Sequence, residues 1–148
     1  MVAVLALVSA LLLTADAPVD SDLAKLQGTW ALVTMEVDGE AVPPENFRDW
    51  NSNYEGNKLT LRAGETIRRR GVVTLEPSRK PKAINTWDQD GPFEDQTVPG
   101  IYEIDGDVLR LCFARPGEDR PKEFTTKDGK GFLCCVYKRK KSGQPSSP

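Results

Sequence analysis

The side chains that could do chemistry are three cysteines, an acidic loop and several arginine and lysine clusters, and they must act without histidine, which the chain lacks. That absence removes the usual general base near neutral pH, every Ser-His-Asp or Cys-His arrangement and the commonest metal ligand. Carboxylates or lysine can catalyse alone, but no spacing points to a pair of carboxylates sharing a cleft. The expectation is a protein that is not an enzyme, with no cofactor and no metal. Asp88, Asp90, Glu94 and Asp95 form the acidic loop, and Asp88-Gln89-Asp90-Gly91 matches only a fragment of a calcium loop, whose ligands must fall at defined positions. In Arg68-Arg69-Arg70, strand alternation puts at least one arginine on the opposite face from its neighbours. This is either a solvated edge or a place where Arg69 turns inward as counter-ion for an acidic ligand. Arg120-Pro121-Lys122-Glu123 offers a charge pair at a mouth of the fold or a plain exposed ion pair, which contributes little. Lys138-Arg139-Lys140-Lys141 is a basic end.

The elements that must position these residues are short strands. Gly100 to Ala114 reads as two strands folded back at Asp105-Gly106, a strong hairpin signal because a type I′ turn needs positive φ at both central residues. Leu109, Leu111 and Phe113 share one face and point to the core, while Arg110 points to water. A hairpin alone is marginal in water. Further strands are expected near 27–37, 57–62, 66–75, 82–87, 98–104, 107–114, 122–125 and 131–139, separated by turn signals such as Asp38-Gly39, Ala63-Gly64-Glu65, Arg115-Pro116-Gly117 and Asp128-Gly129. An even set of short strands with mainly hairpin-length connections predicts an all-β, eight-stranded antiparallel up-and-down barrel, because closure removes both exposed edges. Pro43 to Trp50 predicts a short helical insert after the first strand, with Phe47 and Trp50 on one face, acting as a plug at a barrel mouth or as a pinned surface loop.

The flanks divide from this domain. Val2 to Leu13 is an apolar run too short for a membrane span, which needs roughly 20 residues. It precedes Ala15-Asp16-Ala17, so residues 1–17 read as a signal peptide, 18–25 as a linker or short helical turn, 26–139 as the barrel and 140–148 as a polar tail. The expected location is extracytoplasmic, periplasmic or secreted. Cleavage after Ala17 takes Asp16 from the 22 acidic residues, leaving the charge balanced against 20 basic ones. That balance gives no reason to expect nucleic acid or a membrane surface as partner.

Cys112, Cys134 and Cys135 are an odd set. Cys134 and Cys135 are adjacent on a strand and face opposite ways. With the expected strand 122–125 lying between Cys112 and this pair, the gap is two spacings of roughly 4.8 Å, beyond the Cα reach of a disulfide, about 7 Å. No internal disulfide is expected across a complete strand. Buried thiols, a disulfide at a frayed strand end, or a reactive or metal site remain the readings.

Gly28-Thr29-Trp30 opens the first strand and Arg139 ends the last, which resembles the calycin, or lipocalin, pattern. The resemblance implies that Trp30 sits at the closed end of the barrel with Arg139 packed across it as a barrel-closing pair. A cation over an indole contributes roughly 0.5–2 kcal/mol. Leu26-Gln27-Gly28-Thr29-Trp30, Met35-Glu36-Val37-Asp38-Gly39, Pro81-Lys82-Ala83-Ile84, Gly100-Ile101-Tyr102, Gly106-Asp107-Val108-Leu109-Arg110-Leu111-Cys112 and Arg120-Pro121-Lys122-Glu123-Phe124 together resemble an uncharacterised domain family abundant in planctomycete bacteria. It implies an extracytoplasmic lipocalin-like domain and supplies no catalytic residues. Asn85 departs from the family's more frequent Asp, which weakens a carboxylate role there, and lipocalins carry a helix after the barrel where this chain has only a tail.

The functional expectation is a non-enzymatic binding module, a monomer, with a small apolar or amphipathic ligand in the barrel. Trp30, Trp87, Tyr102 and Phe113 are its candidate interior or mouth aromatics. The alternative is a cell-envelope structural or protein-interaction domain whose barrel is filled by side chains, with an envelope protein as partner.

Overall fold

The structure is a computed structural model and describes residues 18–127, 129 and 131–141. The signal-peptide reading of residues 1–17 and the tail 142–148 lie outside the described residues. In chain order come helix α1 (Pro18–Leu26), β1 (Gly28–Val37), β2 (Glu40–Ala41), a 3-10 turn (Pro44–Asn46), β3 (Trp50–Glu55), β4 (Lys58–Ala63), β5 (Thr66–Glu76), β6 (Ala83–Asp88), β7 (Thr97–Asp105), β8 (Val108–Phe113) and β9 (Leu133–Arg139). The strands run antiparallel in the order β1-β3-β4-β5-β6-β7-β8-β9, and β9 pairs back onto β1. The fold is therefore a closed, eight-stranded, lipocalin-like up-and-down barrel, with β2 a two-residue extension on β1 and the short helical insert following it. The segment 18–25, read as a linker or a single turn, belongs to a nine-residue helix.

One of the eight strands differs from the expected set. Residues 122–125 form no strand, and β3 (Trp50–Glu55) replaces them in the count. Asn51, Ser52 and Asn53 carry turn-forming side chains, yet Trp50, Ser52 and Tyr54 alternate inward while the backbone pairs with both β1 and β4. Phe47 is buried and Trp50 packs against the core while Pro44–Asn46 stay exposed, so the insert is held to the barrel by both aromatics, with Trp50 belonging to the strand. The central hairpin also turns one residue later than expected. Asp105 pairs with Val108, so Gly106 and Asp107 are the central residues, and only Gly106 has positive φ, +57°. That is the Gly-first requirement of a type II′ turn. Positive φ at two successive central residues occurs instead at Asp38 and Gly39.

Inside, Trp30, Leu32, Tyr54, Leu59, Val73, Leu75, Ile84, Val98, Tyr102, Leu109, Leu111 and Phe113 form one core. The two-residue period places Leu109, Leu111 and Phe113 inward and Arg110 outward. Gly100 has no side chain because the Phe113 ring lies there: a Cβ would stand 2.5 Å from Phe113 Cδ1 and 2.8 Å from Cys112 O.

Outside, the wall is not bare. Ile101, Cys112, Ala83 and Ala114 are buried although strand alternation points Ile101, Cys112 and Ala83 away from the interior. The covering layer is the long β8–β9 connection, whose Pro121, Thr126 and Gly131 are buried against the barrel. Thr126 donates its N–H (2.7 Å) and hydroxyl (2.6 Å) to Glu36. Arg115 binds Asp38 and stacks 4.4 Å from the Phe132 ring, which meets Phe93 edge-on. This is why residues 122–125 form no strand: the connection lies over the sheet instead of entering it.

With no strand between β8 and β9, Cys112 and Cys134 stand directly opposite each other, Cα atoms 4.1 Å apart, and form a disulfide. The expectation of no internal disulfide fails because it rested on the strand at 122–125. Cys135, one residue on, faces inward and is the free thiol.

Candidate functional site

Where α1 leads into β1, both are tied to the barrel by charge. The Arg139 guanidinium lies 4.2 Å from the centre of the Trp30 ring and donates to the backbone carbonyls of Gln27 and Lys25. Trp30 is fully buried and donates its indole N–H to Leu26 O at 2.8 Å. Asp22, on α1, is buried and accepts from the Tyr102 hydroxyl (2.7 Å) and the Lys82 ammonium (2.9 Å). Burial pushes its carboxyl up, but the hydrogen bonds from Lys82 and Tyr102 and the charges of Lys82 and Lys25 outweigh that and hold it below its ordinary value.

In the interior, a cavity of about 50 Å³ is lined by apolar side chains such as Leu32, Leu59 and Leu111, with Ser52, Tyr54, Arg69, Cys135 and Tyr137 as its polar members. Arg69 does turn inward. The group it faces belongs to the protein: Asp88 Oδ1, 3.5 Å from Arg69 Nε. Asp88 is fully buried, and burial raises its carboxyl above the ordinary range despite Arg69. Neither Asp88 oxygen, nor Arg69 Nε, nor Thr86 Oγ1 has a hydrogen-bond partner among the described residues. Burial pushes the Cys135 thiol up to about 12, which makes it an unreactive core thiol.

The acidic loop is divided. Asp88 points into the barrel, and Asp90 accepts from the Arg70 N–H at 2.7 Å. Among the described residues no group of three His, Cys, Asp or Glu side chains is placed to hold a metal ion. Of the candidate aromatics, Trp30, Tyr102 and Phe113 are interior, whereas Trp87 lies on the outer wall, 41% exposed. Strand alternation decides this: Ile84, Thr86 and Asp88 take the inward positions of β6.

Arg120 does not form the mouth-side pair that its tetrapeptide suggested. It lies half-buried on the outer wall, donating to Ile84 O (2.9 Å), Gly100 O (2.7 Å) and Asn85 Oδ1 (2.7 Å). It thereby clamps the β8–β9 connection onto β6 and β7. Beside it opens a crevice of about 280 Å³, lined by Arg79, Lys80, Pro81, Ile101, Arg120, Pro121 and Lys122. No pattern in the sequence links its two cationic pairs, which come from segments some 40 residues apart.

Comparison with protein-family models, curated proteins and solved structures finds no match to this chain. The fold and these sites define a lipocalin-like barrel with a small interior cavity, a helix tied to the barrel around Trp30 and Arg139, and a basic crevice on its outer wall.

Proposed function

We propose that this chain is an exported, non-enzymatic binding module that acts through the outside of a filled barrel. The observation that carries this reading is the internal volume of about 50 Å³. A water needs about 10–15 Å³ of such space, whereas small-molecule pockets run from about 300 Å³ upward. A cavity of that size suits a few waters better than the apolar ligand of a carrier. Arg69 is engaged with Asp88 and leaves no bare cation waiting for an acidic guest. The absence of histidine favours binding over catalysis. Export is favoured by the apolar run before Ala15-Asp16-Ala17 and by the Cys112–Cys134 disulfide, a bond that persists in oxidising compartments. The resemblance to an uncharacterised extracytoplasmic domain family of planctomycetes agrees with that location.

The test is native mass spectrometry of the mature protein purified gently from its host's envelope fraction, then soaked with fatty acids and sterol-like compounds. The expected result is the bare protein mass throughout. A reproducible bound apolar molecule would overturn this reading in favour of a carrier.

A further inference from the structure

The outer crevice places four cations around one small space: Arg79 and Lys80 from the β5–β6 loop, Arg120 and Lys122 from the β8–β9 connection. The carboxylate that reaches them is Glu76, 3.5 Å from Arg79 and 3.8 Å from Arg120, so one negative charge serves two guanidiniums. Among the described residues Lys80 and Lys122 have no ion-pair partner, and both are exposed. This concentration stands out on a chain whose net charge is −2. The framework is fixed. Arg120 is held by three hydrogen bonds to the barrel, and Pro81 and Pro121 flank the space. Burial, and then the neighbouring Arg79, pull the Arg120 guanidinium below its ordinary value, as expected where cations crowd together.

We propose that this crevice is a binding site for the phosphate group of a small phosphomonoester. The proposal rests on the outer-surface reading above and gives that surface a ligand class. Four cations against one carboxylate leave an excess of positive charge that a single carboxylate ligand would not balance. A phosphomonoester carries about −1.5 to −2 at neutral pH and offers three acceptor oxygens. Arginine meets such oxygens in a planar fork and lysine meets them as a point charge. The volume suits a small phosphorylated solute better than a long chain, and the exposed Pro81 can take its carbon skeleton.

The test uses the mature protein, glycerol 3-phosphate and inorganic phosphate as probes, and amide chemical-shift mapping with calorimetry as readouts. Glycerol 3-phosphate should bind and move the amides of residues 79–82 and 120–122. The double variant K80Q/K122Q, which removes two exposed side chains and leaves the Arg120 clamp intact, should fold normally and bind at least about tenfold more weakly. Inorganic phosphate should compete at the same amides. No shift at those amides with millimolar probe, or equal binding by the variant, would overturn the proposal. So would binding to vesicles containing phosphatidic acid that glycerol 3-phosphate does not displace, since that would make the surface a membrane contact. An empty barrel with no phosphate binding would sink this site alone, whereas an apolar molecule in the barrel would sink the surface reading.

Discussion

Removing the Cys112–Cys134 disulfide by C112A/C134A should cost about 3 kcal/mol of stability. The bond joins residues 22 apart in sequence, so it closes off the whole β8–β9 connection as one loop. In the chain-entropy treatment a loop of this size removes about 11 cal/mol/K from the unfolded state, about 3.4 kcal/mol at room temperature. The native fold retains its other means of holding the connection, including the Arg120 clamp and the Glu36–Thr126 contacts. The loss should therefore fall mainly on the unfolded side. Urea titration followed by tryptophan fluorescence measures it directly. With a urea dependence of about 1–3 kcal/mol/M, the midpoint should drop by roughly 1–3 M, and wild-type protein in reductant should follow the double variant. A thiol assay on unreduced, denatured wild type should find only Cys135. Three free thiols under those conditions, or a midpoint indifferent to reductant and to the double variant, would refute the reasoning.

Other outcomes follow from the geometry. Arg139→Ala removes the cation from Trp30 and two charge-assisted hydrogen bonds to the turn between α1 and β1, and should cost about 2–4 kcal/mol by thermal or urea unfolding. Arg139→Lys should recover only part of this, because a lysine cannot span both carbonyls while stacking. Asp22 has a carboxyl held below its unfolded value, so its contribution is present above that unfolded value and is lost as pH falls through the folded one. In acid unfolding monitored by circular dichroism, Asp22→Asn should be less stable than wild type at neutral pH, and the gap should narrow below about pH 4. Gly100→Ala must push the new methyl against the Phe113 ring and the Cys112 carbonyl, and should lower stability by about 1–3 kcal/mol in a urea titration.

The parts legible in the sequence were those decided by neighbours in the chain. The hairpin of β7 and β8 follows from Gly106 and from the alternation of Leu109, Leu111 and Phe113, and its turn slipped by one residue because Asp105 and Asp107 both suit a turn. β3 was hidden because Asn51, Ser52 and Asn53 prefer turns, and only pairing with β1 and β4 makes them a strand. The error at residues 122–125 carried directly into the cysteines: an imagined strand separated two residues that the barrel places face to face. Arg120 could not be interpreted locally at all, since its acceptors are main-chain carbonyls 20 and 36 residues away. Arg69 turns inward as the alternation allows, but its partner Asp88 lies in a separate run of acidic residues whose local pattern does not show which of them turns inward.

The pairing of β1 with β9 has a consequence for how the chain is made. Synthesis proceeds from the N-terminus, so β1 emerges first and its last partner emerges more than a hundred residues later. During that interval β1 can pair with β3 but keeps a bare flank, a template for any other nascent strand. Ribosome-bound chains that stop before Leu133 should be prone to joining one another, and release of the final strand is the moment at which the molecule becomes indifferent to its neighbours.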